Sequence, residues 1–162
     1  MIIIGIDPGT SSIGFAVLES GPKLTLREAG LFPIRAADQS GRLSELHRGL
    51  TRLIAQTKPA AIAVEKLFFA KNVKTAMAVA EARGVILLTS ELARVSVYEY
   101  APAQIKKTVA GHGGADKKAI EKMISLTLPE TRTLRARDDV FDAIAAALCC
   151  HFLEFRTPRI PS

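Results

Sequence analysis

The sequence predicts an α/β fold, and three observations carry that expectation. The first 34 residues read as three short strands joined by turns. From Ser40 the apolar spacing becomes that of helices, and two more short apolar runs, Ala60–Val64 and Val95–Tyr100, interrupt the helical stretches. The length, 162 residues, suits one domain that buries about two thirds of its unfolded surface.

Each element has a local reason. Met1–Ile6 is apolar and β-branched, the pattern of a strand covered on both faces, and it stops at Asp7. Pro8, Gly9, Thr10 and Ser11 supply a turn. Ile13, Phe15 and Val17 then alternate with Gly14, Ala16 and Leu18 as the returning strand of a hairpin. Gly21 and Pro22 turn the chain again, and Leu24–Ile34 reads as a third antiparallel strand, interrupted at Gly30 and ended near Pro33. Leu43, Leu46, Leu50, Leu53 and Ile54 form one stripe on a helix that runs from Ser40 to before Pro59. Ala60–Val64 is a fourth strand ending on Glu65, followed by the loop Lys66–Asn72.

A helix is expected from about Asn72 to Arg94. Ala76, Val79, Ala80, Arg83, Leu87 and Leu88 make a small-residue face suited to close approach of a partner element, with Gly84 within it. Val95–Tyr100 is the fifth strand. Pro102 opens a short helix that ends at Gly111. Asp116 caps a helix with Lys117, Lys118 and Lys122 outward and Ile120, Met123 and Ile124 inward. The last helix begins near Asp138, and its stripe runs through Ala143, Ile144, Ala147, Leu148, Phe152 and Phe155. Cys149 and Cys150 lie within that helix and read as core residues, neither a disulfide framework nor a metal knuckle. Arg156–Ser162 reads as a frayed tail.

Composition excludes several classes. No apolar run reaches the ~18 residues needed to span a bilayer. The N-terminus has neither a basic region before its apolar run nor a small-residue cleavage pattern, so a cytoplasmic protein is expected. The net charge is +6, which favours a polyanionic partner. The bias is concentrated: Lys106, Lys107, Lys117, Lys118, Lys122, Arg132, Arg135 and Arg137 crowd into the last third, beside the acids at Asp138. These lysines read either as solvated helix faces or as phosphate contacts.

The candidate chemistry lies in carboxylates at element ends. If the fourth strand runs parallel to the first, as a β–α–β crossover requires, Asp7 and Glu65 emerge at one sheet edge about one inter-strand spacing of ~5 Å apart. Asp7 alone could serve an Asx turn, and acids in the first turn of the last helix stabilise any helix. Asp142, however, lies a full turn in, on one face with Asp139 and Asp138. Asp7, Glu65, Asp139 and Asp142 make an all-oxygen set suited to Mg²⁺ or Mn²⁺ rather than zinc, and four carboxylates can hold two ions ~3.5 to 4 Å apart for phosphodiester hydrolysis. In the loop after Glu65, Phe68 and Phe69 are consecutive. Either one packs inward and the other is incidentally exposed, or one ring is offered to stack on a nucleobase.

Several stretches together resemble the RuvC family of Holliday junction resolvases, in the ribonuclease H-like superfamily. They are GIDPG at Gly5–Gly9, VEKLFFAKN at Val64–Asn72, EARGV at Glu81–Val85, QIKKTVAG at Gln104–Gly111 and Asp139-x-x-Asp142 before an alanine-rich helix. The resemblance implies a ribonuclease H-like domain over residues 1–156, a five-stranded mixed sheet flanked by helices on both faces, with 157–162 as a flexible tail. It implies a homodimeric endonuclease that resolves four-way DNA junctions by symmetric nicks, with RuvA and RuvB as partners. By position Asp7, Glu65, Asp139 and Asp142 would be the metal-binding catalytic acids, Phe68 the stacking residue, and Lys106 and Lys117 the DNA-contacting lysines, with Phe69, Lys107 and Lys118 beside them. Asp138 is an extra acid that could replace Asp139 if the helix start rotated. The other readings are a non-catalytic nucleic-acid-binding module, which would bind junctions without cutting them, and an actin-like phosphotransferase, for which the chain lacks the second domain.

Overall fold

The computed structural model describes residues 1–9, 12–66 and 73–155, with the backbone only for residues 73–75. The expected loop residues Phe68 and Phe69 and the expected tail 157–162 lie outside the described residues.

Strands β1 (Ile2–Asp7), β2 (Gly14–Glu19) and β3 (Thr25–Leu31) form an antiparallel meander. Helix α1 (Gln39–Thr57) then crosses over, and β4 (Ala61–Glu65) and β5 (Ser96–Tyr100) add on the other side of β1, both parallel to it. The resulting mixed sheet has the order β3-β2-β1-β4-β5. β3 ends three residues earlier than its pattern suggested, because Phe32 leaves the ladder to donate its amide to Ile13 and bury its ring against Phe15.

Helices cover both faces. Ile4, Ile6, Phe15, Val17, Ile62 and Val64 pack under α1 and α2 (Val73–Leu92). Ile3, Ala16, Leu18, Ala61 and Ala63 pack under α3 (Pro102–Ala110), α4 (Lys117–Thr127) and α5 (Asp138–Cys150). Cys149 and Cys150 are buried and free, as read from the helical pattern.

Two expectations change. Met123 was placed on the inner face of α4 but is 36% exposed, since Ile120 and Ile124 already fill the inward stripe. On α2, Arg83 is not part of an outward small-residue face. It turns to the sheet and grips Glu99 of β5 through two hydrogen bonds of 2.7 and 2.8 Å, so the open apolar stripe runs instead through Met77, Ala80, Gly84, Leu88 and Leu92. α5 begins at Asp138, as its sequence suggests, with Arg137 as its N-cap and no side-chain cap bond.

Candidate active site

The register of β1 and β4 pairs Ile6 with Val64 in parallel. The next residues on the two strands are Asp7 and Glu65, so the carboxylates leave adjacent strands on the same face, the face that carries α5. Alternation along each strand fixes this: Ile3 and Gly5 precede Asp7 on that face, and Ala61 and Ala63 precede Glu65.

What brings α5 down onto the two strand ends is glycine. A β-carbon on Gly5 would lie 2.0 Å from the Ala143 carbonyl oxygen and 2.9 Å from the Ala147 methyl, and one on Gly14 would lie 2.0 Å from the Asp139 carbonyl oxygen. The helix backbone therefore rests on the backbone of β1 and β2. The alanines of α5 complete the fit, because Ala143, Ala145, Ala146 and Ala147 are buried there. With α5 seated this closely, Asp139 and Asp142 in its first turns reach the ends of β1 and β4.

Electrostatics records the convergence. Burial, and then the charges of Asp142, Glu65 and Asp139, push the Asp7 carboxyl from an ordinary 3.8 up to about 8, against a lowering by Lys117. Burial and Asp142 push Glu65 up to about 7, against Lys106. Asp142 is also raised, by burial first and by Asp138 and Asp139, with Lys117 and Lys106 opposing. Four carboxylates thus share one half-buried locus; among the described residues Lys106 and Lys117 act on it from α3 and α4, and Arg137, at the N-cap of α5, lies 3.7 Å from Asp139. At neutral pH Asp7 stays ionised only with added positive charge.

The two aspartates at the start of α5 take different places. Asp139 is half-buried and accepts a hydrogen bond from the Ser12 hydroxyl, with Oδ1 also close to Gly9 in the turn after Asp7. Asp138 points outward and pairs with Lys117 at 2.5 Å. The structure therefore turns Asp139, not Asp138, toward Asp7. Ser12 was not singled out by its sequence; its only signal was its place in the turn after Asp7.

Glu65 and Asp142 also border a cleft of about 240 Å³ between α3, α4 and α5, lined further by Lys106, Lys117, Asp138, Glu121 and Phe141. Lys106 is half-buried there, whereas Lys107 and Lys118 are exposed beside it. A second groove, on the outer side of α4, carries Lys118, Lys122 and Arg132.

The donor set suits a hard divalent cation: carboxylate oxygens only, desolvated and mutually repelling. Among the described residues no three acids are already drawn together tightly enough to form a closed metal cage.

A sequence model of the family "Crossover junction endodeoxyribonuclease RuvC" matches residues 3–151. The chain belongs to the RuvC family. A RuvC from Roseiflexus sp. is 47% identical over 148 residues, 90% of this chain and 88% of that one. A RuvC from Chloroflexus aggregans is 45% identical, covering 92% of each chain. Among solved structures, Thermus thermophilus RuvC in complex with a Holliday junction superposes with a TM-score of 0.84 at 32% identity, covering 94% of this chain and 93% of that one. The fold is accordingly ribonuclease H-like, as the quoted motifs implied, and RuvC-family nucleases are metal-dependent.

Proposed function

We propose that the chain is a structure-specific endodeoxyribonuclease that resolves four-way DNA junctions by paired symmetric nicks, in recombination and repair. The observation that carries this reading is the convergence of Asp7, Glu65, Asp139 and Asp142 at the ends of β1 and β4 under α5, beside a cleft with Lys106 and Lys117. Family membership supports the same reading, because a relative of the same fold is described in complex with a Holliday junction.

In this reading the four carboxylates hold two Mg²⁺ or Mn²⁺ ions. When bound, the ions supply an activated water and offset charge on the leaving 3′ oxygen. The chain's own residues do the rest. Asp7 and Glu65 hold the site on a rigid sheet, Ser12 orients Asp139, and Lys106 and Lys117 draw the scissile strand's phosphates to the cleft. Asp139 is the third acid, because Asp138 is engaged by Lys117. Phe68 and Phe69 are assigned to base stacking on the strength of the motif.

Two nicks at symmetry-related positions require two such sites, so the working unit is a homodimer. The open stripe of Met77, Ala80, Gly84, Leu88 and Leu92 on α2 supports an isologous interface there. The same reading takes RuvA and RuvB as partners and the cytoplasm as the location, as the resemblance to the RuvC family implies.

A supercoiled plasmid that extrudes a cruciform tests the whole reading. With Mg²⁺ or Mn²⁺ the native chain should linearise it, without divalent metal it should not, and Asp7→Asn should cut more than a thousandfold more slowly while binding the junction as well or better. Native chain mixed with excess Asp7→Asn should leave nicked circles. Cleavage by Asp7→Asn near the native rate would reject the site, and persistent linear product from the mixture would reject the dimer.

A further inference from the structure

The acid that the site does not use has a place of its own. Asp138 reaches from the start of α5 to the start of α4 and pairs with Lys117, Nζ to Oδ2, at 2.5 Å. Two-thirds of each side chain is exposed, 66% for Lys117 and 64% for Asp138. A first-turn aspartate is stabilised by the helix dipole without a partner from another helix, so helix stability does not account for the bridge. The bridge lies on the rim of the cleft that has Glu65 and Asp142 in its wall, and Lys106 lines the same cleft. Among the described residues Lys106 forms no ion pair within 4 Å. The cleft thus presents one ammonium group that acts on Glu65 and Asp142 from beyond ion-pair distance and one in direct contact with a carboxylate.

We propose that Asp138 stands in for a DNA phosphate: it holds Lys117 across the cleft mouth in the free protein and is displaced when a backbone phosphate enters. This inference rests on the junction-binding part of the reading above. Carboxylate and phosphate oxygens accept from an ammonium group in the same way, so the exchange swaps one anion for another on Lys117. Exposed pairs of this kind are weak enough to open readily. The exchange lowers the affinity of the empty cleft for any polyanion, because Lys117 is not a free charge until its partner is pushed aside. Asp138 is therefore a positioning residue, acting through Lys117.

A double-mutant cycle tests this by binding alone. A fluorescent synthetic four-way junction is titrated in EDTA over a range of salt with the native chain, Asp138→Asn, Lys117→Ala and the double variant. Asp138→Asn should bind about two- to fivefold more tightly at low salt, with the slope of log affinity against log salt steeper by up to about one. In the Lys117→Ala background the same substitution should change affinity less than about 1.5-fold, and Asp138→Glu should stay near native. Equal tightening with and without Lys117 would reduce Asp138 to a general negative charge and overturn the proposal, as would unchanged or weaker binding by Asp138→Asn. A native chain that binds the junction but never cuts it would overturn the nuclease reading and leave this one standing.

Discussion

The two faces of the sheet are built by opposite rules. Under α1 and α2 the strands offer large side chains, Ile4, Ile6, Ile62, Val64 and Phe15, and the layer is an ordinary interdigitated core. Under α5 they offer Gly5, Gly14, Ala16, Ala61 and Ala63, so helix and strand meet backbone to backbone. The first face makes stability from buried area. The second gives up side-chain volume to bring a helix start within reach of two strand ends, and the four acids proposed as catalytic lie on this face. Closeness is what the small residues provide, and the raised Asp7 and Glu65 carboxyls are its electrostatic consequence.

Changing the side chain by one carbon on each face, adding it under α5 and removing it under α1 and α2, should separate the two rules most sharply. Gly14→Ala would put a β-carbon 2.0 Å from the Asp139 carbonyl oxygen, displacing the start of α5; junction cleavage should fall about 100-fold. Gly5→Ala, under Ala143 and Ala147, should cost about 3 kcal/mol or more in a denaturant titration. Ile62→Val on the opposite face should cost about 1 kcal/mol and leave cleavage within twofold. If Gly14→Ala cut normally, backbone contact would not be what positions Asp139.

Titration of the metal-free protein gives the next largest effect. A carboxyl whose folded pKa lies above its unfolded value binds its proton more tightly in the folded chain. Its contribution is therefore full below pH 4 and is lost as the pH rises through the folded value, about 8 for Asp7 and about 7 for Glu65. In EDTA the melting temperature of the native chain should fall between pH 5 and pH 8 by several degrees more than that of Asp7→Asn. Parallel curves would show that neither burial nor the neighbouring acids raise the Asp7 carboxyl.

The smallest effect is on salt dependence. Replacing Lys106 and Lys117 together with alanine should flatten the slope of log affinity against log salt by between about one and two units, Lys117 counting less because Asp138 must first be displaced. Arg52→Ala, exposed on α1 behind the opposite face, should leave the slope unchanged. An equal change from both would mean that DNA senses only the net charge.

The sequence by itself determined the alternation of strands and helices, because each element carries its own period and stop signal. Asp116 and Pro102 mark helix starts at the residues where α4 and α3 begin, and the apolar runs that end on Asp7 and Glu65 are strands β1 and β4. It also offered Asp7 and Glu65 at strand ends, and Asp139 and Asp142 in the first turns of the last helix, as the candidate site. The choice between Asp138 and Asp139 was open, because neighbouring residues on a helix differ by 100° of rotation and a rotation about the helix axis leaves no mark in the local pattern. Tertiary structure decided which of the two is turned toward Asp7. Gly5 and Gly14 set the height and rotation of α5, Ser12 takes Asp139, and Lys117 takes Asp138. For the same reason Met123 and Arg83 were misplaced: an inward or outward direction is defined only relative to neighbours that come from distant parts of the chain.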